Sequence, residues 1–147
     1  MTESIVFLTD PHITGLAYAE HNVRPEGVEA KGDCVTRAIV MATGMDYHEV
    51  LDELTKRKNG PGNKRGSASS GVEHMDAHRY LRELGWTYVS CPKGVKFTYE
   101  NLPEECIVDL PGHYTYVKRG IVYDAYDCRG KRRRKLEGYY VPTSSNK

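Results

Sequence analysis

Apolar positions recur at helical spacing three times in the first two thirds of the chain. Val35, Ala38, Ile39 and Ala42 fall on one face of a helix that Asp33 caps and Gly44 stops. Asp46 caps a second helix, with Glu49 three residues on as its capping-box partner. Val50, Leu51 and Leu54 give that helix its inward face, and it ends near Lys58. A third helix covers about residues 72–84, with Met75, Leu81 and Leu84 inward and Gly85 as its stop. Between the second and third, the Gly- and Ser-rich residues 59–71 read as a mobile surface loop beside the substrate groove or as an ordinary connection.

The period then changes to two. Residues 86–89 and 106–110 read as strands, and Thr98 caps a short helical turn ending at Pro103. Residues 113–118 alternate His/Thr/Val against Tyr/Tyr, Arg119-Gly120 makes a two-residue turn, and 121–125 is the return strand. Residues 139–141 give a final edge strand, and 142–147 a frayed tail. Ahead of the first helix, residues 5–8 (IVFL) are a short strand in an otherwise loose segment, 1–31, broken by Pro11, Pro25 and Gly27. Helices followed by antiparallel strands predict one α+β domain over residues 1–147.

Composition narrows the class. The 147 residues suit one domain, and eleven Tyr and one Trp supply burial despite a mean hydropathy of -0.62. No apolar run approaches the roughly 20 residues of a membrane helix. The start, MTESIVFLTD, lacks the basic residue and long apolar stretch of a secretory signal. These features predict a soluble cytoplasmic protein with no membrane partner. Net charge is +1, but residues 118–140 carry eight bases against three acids. The densest part, Arg129-Gly130-Lys131-Arg132-Arg133-Arg134-Lys135, reads as a solvated loop or as a contact for nucleic acid or an acidic protein.

The chemistry turns on the cysteines, Cys34, Cys91, Cys106 and Cys128. None shares CxxC spacing, which excludes the redox and zinc-knuckle motifs, and disulfides are not expected. Each is then a small buried hydrophobe or a reactive thiol. Cys34 opens a helix, where unpaired N–H groups and the dipole favour a thiolate. Adjacent Asp33 opposes that unless its charge is committed elsewhere. A thiol nucleophile needs a base and a group to orient the base. With a two-residue turn, 118 pairs with 121, 116 with 123 and 113 with 126, so His113, Asp124 and Tyr126 share a face. A three-residue turn would bring Asp127 instead. His74 and His78 share a helical face around Asp76, but the Glu of a HExxH site and a third ligand are missing. They read as a solvated face, and no metal or cofactor is expected.

Three segments carry a resemblance: Gly32-Asp33-Cys34-Val35-Thr36-Arg37-Ala38-Ile39, Gly112-His113-Tyr114-Thr115, and Gly120-Ile121-Val122-Tyr123-Asp124-Ala125-Tyr126-Asp127. Together they resemble the papain-like cysteine peptidase superfamily, and within it the small C39-like domains often encoded in bacteriophage genomes. Those domains have a DCxxRA helix start and an H…G…YDxxD hairpin. The resemblance covers about residues 32–128, with 59–111 matched in element order alone. It implies a papain-like α+β fold, N-terminal helices packed on a C-terminal antiparallel sheet. It implies Cys34 as nucleophile, His113 as general base and Asp124 as the residue orienting His113. The implied reaction is acyl transfer on a peptide or isopeptide bond of a peptide or protein substrate, in the host cytoplasm if phage-encoded. The pattern departs upstream: Val28 stands where such enzymes commonly carry Gln, and the chain has no Gln. The oxyanion hole then falls to Asn22 or to backbone N–H groups, including that of Cys34. Two other readings stay open. One is a transglutaminase- or deamidase-like enzyme, and the other a non-catalytic papain-fold module binding through residues 129–135.

Overall fold

The computed structural model describes residues 14–28, 30, 32–59, 68, 71–129 and 134–143, and the backbone of 4–6. Three helices, α1 (Cys34–Thr43), α2 (Tyr47–Asn59) and α3 (His74–Glu83), pack on one sheet. Its strands are β1 (Ser4–Val6), β2 (Ala17–Glu20), β3 (Trp86–Ser90), β4 (Glu105–Leu110), β5 (His113–Lys118), β6 (Ile121–Asp124) and β7 (Gly138–Pro142). They lie in the order β1-β2-β6-β5-β4-β7-β3. Neighbours are antiparallel except β2 and β6, which run parallel. The chain is therefore an α+β protein with a mixed sheet.

Local chemistry sets the helix limits. Asp46 Oδ2 accepts the Glu49 N–H at 3.1 Å and so caps α2. Gly44 ends α1 in the left-handed region at φ 75°, donating its N–H to the Val40 carbonyl at 2.8 Å. The sheet separates two apolar layers. Val35, Ala38 and Ile39 of α1, Val50 and Leu54 of α2 and Leu81 of α3 meet Ile107, Tyr114, Tyr116 and Tyr140. On the opposite face, Val108, Val117, Val122 and Val141 meet Leu16, Phe97, Cys128 and Leu136. No described α-helix covers that second face. The segments around Phe97 and Leu136 do so, joined by Phe97 N–H to Arg134 O (2.7 Å) and Leu136 N–H to Val95 O (3.0 Å).

The β5–β6 hairpin has the expected register, Lys118↔Ile121, Val117↔Val122 and Tyr116↔Tyr123. Arg119 (φ 53°) and Gly120 (φ 75°) both have positive φ, as a type I′ turn requires. Alternation then sends Tyr114 and Tyr116 toward the helices and His113, Thr115 and Val117 to the other side.

Several expectations need correction. The segment 1–31 is not wholly loose, because β2 inserts beside β6 with Leu16, Tyr18 and Ala19 buried. Its four residues, AYAE, carry little β propensity and owe their form to the parallel ladder. The last strand is not an edge, since β7 lies between β4 and β3 with Tyr140 fully buried. Pro142 belongs to β7, and the Thr143 N–H bonds Gly85 O at 2.7 Å, so the expected tail begins later; residues 144–147 lie outside the described residues. Met75 is half exposed, because the inward face of α3 is Ala77, Tyr80 and Leu81. Most of the expected loop at 59–71 lies outside the described residues, though Ala68 is fully buried. Among the described residues, no helix is long and apolar enough to cross a membrane.

Gly138 is a sharp test of the β3–β7 packing. A Cβ there would run into the Tyr88 hydroxyl and the Val89 carbonyl. Gly138→Ala is expected to cost about 1–3 kcal/mol, read from the urea unfolding midpoint. An unchanged midpoint would contradict this close approach.

Candidate active site

Cys34 is the first residue of α1, and Asp33 stands at the N-cap position before it. The Asp33 carboxylate does not cap the helix with its side chain. It is ion-paired instead. Arg24 forks onto it through Nε (2.9 Å) and Nη2 (2.7 Å), Arg37 donates from Nε (3.0 Å), and the Tyr47 hydroxyl donates at 2.7 Å. Burial alone would raise the Asp33 pKa, but hydrogen bonds from Arg24, Tyr47 and Arg37 outweigh it and hold the carboxyl at about 2. Asp33 is therefore no obstacle to a thiolate next door, because two guanidinium groups face its one charge.

Arg37 carries the network across to the sheet. It follows Asp33 by one helical turn, and its Nη1 donates to Asp124 Oδ1 at 2.7 Å. Asp124 Oδ1 also accepts the Ala125 N–H at 2.7 Å. Asp124 Oδ2 takes the Thr115 hydroxyl at 2.6 Å and His113 Nε2 at 2.7 Å. Burial of Asp124 favours its neutral form, yet His113, Thr115 and Arg37 bring the carboxyl down to about 2. Burial likewise opposes a charge on His113, but Asp124, Cys128 and Cys34 push the imidazole well above its ordinary value.

With Nε2 engaged by Asp124, Nδ1 is the nitrogen left for a nucleophile. The Cys34 thiol interacts with the His113 imidazole and with the Tyr114 backbone N–H. Burial pushes this thiol up, but those two hydrogen bonds and the charges of His113 and Arg37 prevail, and its pKa falls below the ordinary thiol value. The other three thiols move the opposite way. Burial raises Cys91 and Cys128, and raises Cys106 to about 12. Tyr126 covers the imidazole: its hydroxyl lies 3.2 Å from Nδ1, its ring centroid is 5.3 Å from the His113 ring, and it is 52% exposed where His113 is 5% exposed. A small cavity of about 10 Å³, room for roughly one water, touches Cys34, Arg37, Tyr114, Thr115 and Asp124. It shares His21, Met41, Tyr116 and Tyr123 with an open groove of about 470 Å³.

The structure thus brings Cys34, His113 and Asp124 together, and it turns Asp127 away to pair with Arg129. Asn22 is not part of this group. It is exposed, its Oδ1 accepts the Arg24 backbone N–H at 3.0 Å, and no hydrogen bond joins it to Cys34 or His113. Arg129 is not a free basic contact either. It is 6% exposed, forks onto Asp127 (2.9 and 2.8 Å) and donates to Leu16 O at 2.8 Å. Arg134 donates to the Cys128 carbonyl at 3.1 Å and the Pro111 carbonyl at 3.3 Å. Lys131, Arg132 and Arg133 lie outside the described residues.

His74 is exposed, as expected of a solvated face, and His78 is half-buried, but both rings have partners on the sheet. Their rings stack 5.9 Å apart against the sheet, His74 Nδ1 bonds the Tyr114 hydroxyl at 2.7 Å, and His78 Nδ1 bonds the Tyr140 hydroxyl at 3.2 Å. Sequence reasoning missed Arg24, Arg37, Tyr47, Thr115 and Cys128 as members or supports of the site. Two carried a readable signal: Arg37 lies four residues from Asp33 on a helix, and Thr115 two residues from His113 on a strand.

Replacing Arg37 by Leu would leave two acids short of a partner, so the expected loss is about 3–5 kcal/mol in urea unfolding. A loss under about 1 kcal/mol would show the network to be dispensable. Asp33 and Asp124 also predict acid lability. Their folded pKa values lie below the ordinary 3.8, so the unfolded state binds more protons as pH falls. The stabilisation is present above about pH 4 and is lost toward about pH 2, about 2 kcal/mol for each group. A flat unfolding midpoint across that window would contradict it. Compared with known proteins, the chain matches no family model, no curated protein and no solved structure.

Proposed function

We propose that the protein is a papain-like thiol acyl-transfer enzyme, a cysteine peptidase acting on peptide or isopeptide bonds. The observation that carries this reading is the separation of the thiols: Cys34 alone among the four is lowered, and it is the one at a helix start facing an Asp-held imidazole. The thiolate of Cys34 attacks the carbonyl carbon of the substrate. The Cys34 backbone N–H, one of the orphan donors of the first turn of α1, lies on the attacking residue itself and supports the oxyanion. His113 holds the proton on Nδ1 and delivers it to the leaving amine, which departs as the thioester forms. A water then gives its proton to His113 and attacks the thioester, releasing the acid and restoring the Cys34 thiolate beside the charged imidazole. Asp124 keeps Nε2–H pointing inward, so that the ring presents Nδ1 to the sulfur throughout. The Tyr126 hydroxyl shares Nδ1 in the resting state, donating to a neutral ring or accepting from a charged one.

The probe is a peptide bearing an electrophilic vinyl sulfone, with the labelled cysteine located by mass spectrometry. Cys34 is expected to label first, and Cys34→Ala to remove that label with the fold intact. His113→Ala is expected to slow labelling by about 10²-fold or more, and Asp124→Asn to cost less than losing the nucleophile. Labelling of Cys34 no faster than of an unfolded control, or unaffected by His113→Ala, would overturn the reading. Where turnover is found, product mass separates hydrolysis of a peptide bond from deamidation or transfer to an amine.

A further inference from the structure

Cys128 is the thiol of this site for which acyl transfer has no use. After β6 the chain bends at Ala125 and Tyr126 and returns inward, placing Cys128 2% exposed. That return is fixed on both sides. Arg129 ties Asp127 to the Leu16 carbonyl, and Arg134 holds the Cys128 carbonyl. The Cys128 thiol thereby meets the same imidazole that Cys34 meets, and it also interacts with Thr115. A ring nitrogen of His113, a carboxylate oxygen of Asp124 and Cys128 Sγ all lie within 4.8 Å of one another, and all three residues are buried.

We propose that His113, Asp124 and Cys128 form a binding site for a thiophilic divalent cation such as Zn²⁺. The donor set is one thiolate, one imidazole and one carboxylate, which suits zinc in type. Ligand atoms on a tetrahedral zinc stand roughly 3.3–3.8 Å apart, given bonds of about 2.0–2.3 Å. The three atoms lie no more than 4.8 Å apart, and His113 Nε2 and Asp124 Oδ2, now hydrogen-bonded at 2.7 Å, would part slightly to admit the ion. Two anionic ligands balance the dication, and Arg37 occupies Oδ1 of Asp124, leaving Oδ2 toward His113. Thr115 Oγ1 donates to Oδ2 at 2.6 Å and would orient that carboxylate toward the ion. Binding expels the Cys128 thiol proton and the proton between His113 and Asp124, so affinity rises with pH. Held on the ion through Nε2, the ring would lose both its Asp124 partner and the second proton that makes it a charged partner to Cys34, making the ion a reversible off-switch. That consequence rests on the proposed function, whereas the metal site does not.

The test titrates metal-free protein with Zn²⁺ by calorimetry and with Co²⁺ by absorption, comparing wild type, Cys128→Ser and Cys34→Ala. The expected wild-type result is one equivalent of metal and a thiolate-to-Co²⁺ charge-transfer band. Cys128→Ser is expected to lose the band and weaken Zn²⁺ binding by more than the 10–100-fold that an outer-shell partner costs. Cys34→Ala is expected to keep both, which shows the site to be independent of the nucleophile. Absence of stoichiometric binding to wild type overturns the proposal. So does loss of the metal in Cys34→Ala with retention in Cys128→Ser, which would place the ion on Cys34 and His113. Should Cys128→Ser fail to fold, Cys128→Ala and the wild-type Co²⁺ spectrum decide the matter. Failure of the enzyme reading registers separately, as loss of selective Cys34 labelling in the metal-free protein.

Discussion

The Arg37 guanidinium joins the two halves of the site, and the rest of its geometry hangs on that joint. One end of its fork meets Asp33 just before α1, and the other meets Asp124 at the end of β6. Helix and sheet are thus fixed relative to one another by a planar group with two directed donors, a task a single ammonium would perform less well. Desolvating such ions is expensive, and the arrangement is tolerable because the charges close on themselves. Arg24 and Arg37 face Asp33 and Asp124, two against two. A Cys34 thiolate with a His113 imidazolium adds one more neutral pair. The thiolate is favoured locally by the helix start, the Tyr114 N–H and the imidazole, without an excess of positive charge around it.

The sheet acts as the ruler for this joint. A type I′ turn fixes the β5–β6 register, and alternation then sorts side chains by chemistry. His113 and Thr115 go to Asp124, while Tyr114 and Tyr116 go to the helices. The helix-facing layer is itself unusually polar at one end. Asp109 accepts from the Tyr88 hydroxyl at 2.9 Å, and His74 and His78 bond the hydroxyls of Tyr114 and Tyr140. The network is part-buried, with His74 at its exposed end, and its buried hydroxyls and carboxylate each have a partner.

Much of this was legible in the sequence, and the reasons for the rest are specific. The face of α1, the Asp46 cap and the β5–β6 register follow from periodicity and turn chemistry, which are local. The pairing of His113 with Asp124 followed from the register alone. The strand β2 did not, because AYAE has no strand signature and forms only against β6, about a hundred residues later. The interior place of β7 is likewise a topological fact with no local trace. Arg129 read as part of a charge run because its neighbours are basic, yet it is buried and Asp127 two residues earlier pairs with it. His74 and His78 showed their spacing but not the tyrosines that receive them. Polar residues that pair across the fold look, in sequence, like solvated ones.

The central claim is that Asp124, steadied by Arg37, holds His113 as a charged partner to the Cys34 thiolate. It is tested most directly by NMR titration of the His113 ring nitrogens in wild type and Cys34→Ala. The account predicts that His113 stays protonated well above the ordinary histidine value of about 6.5, with Nε2–H retained, and that losing Cys34 lowers its pKa. A ring that titrates near about 6.5 in both proteins would contradict it, leaving Cys34 as a thiol that merely sits beside a histidine.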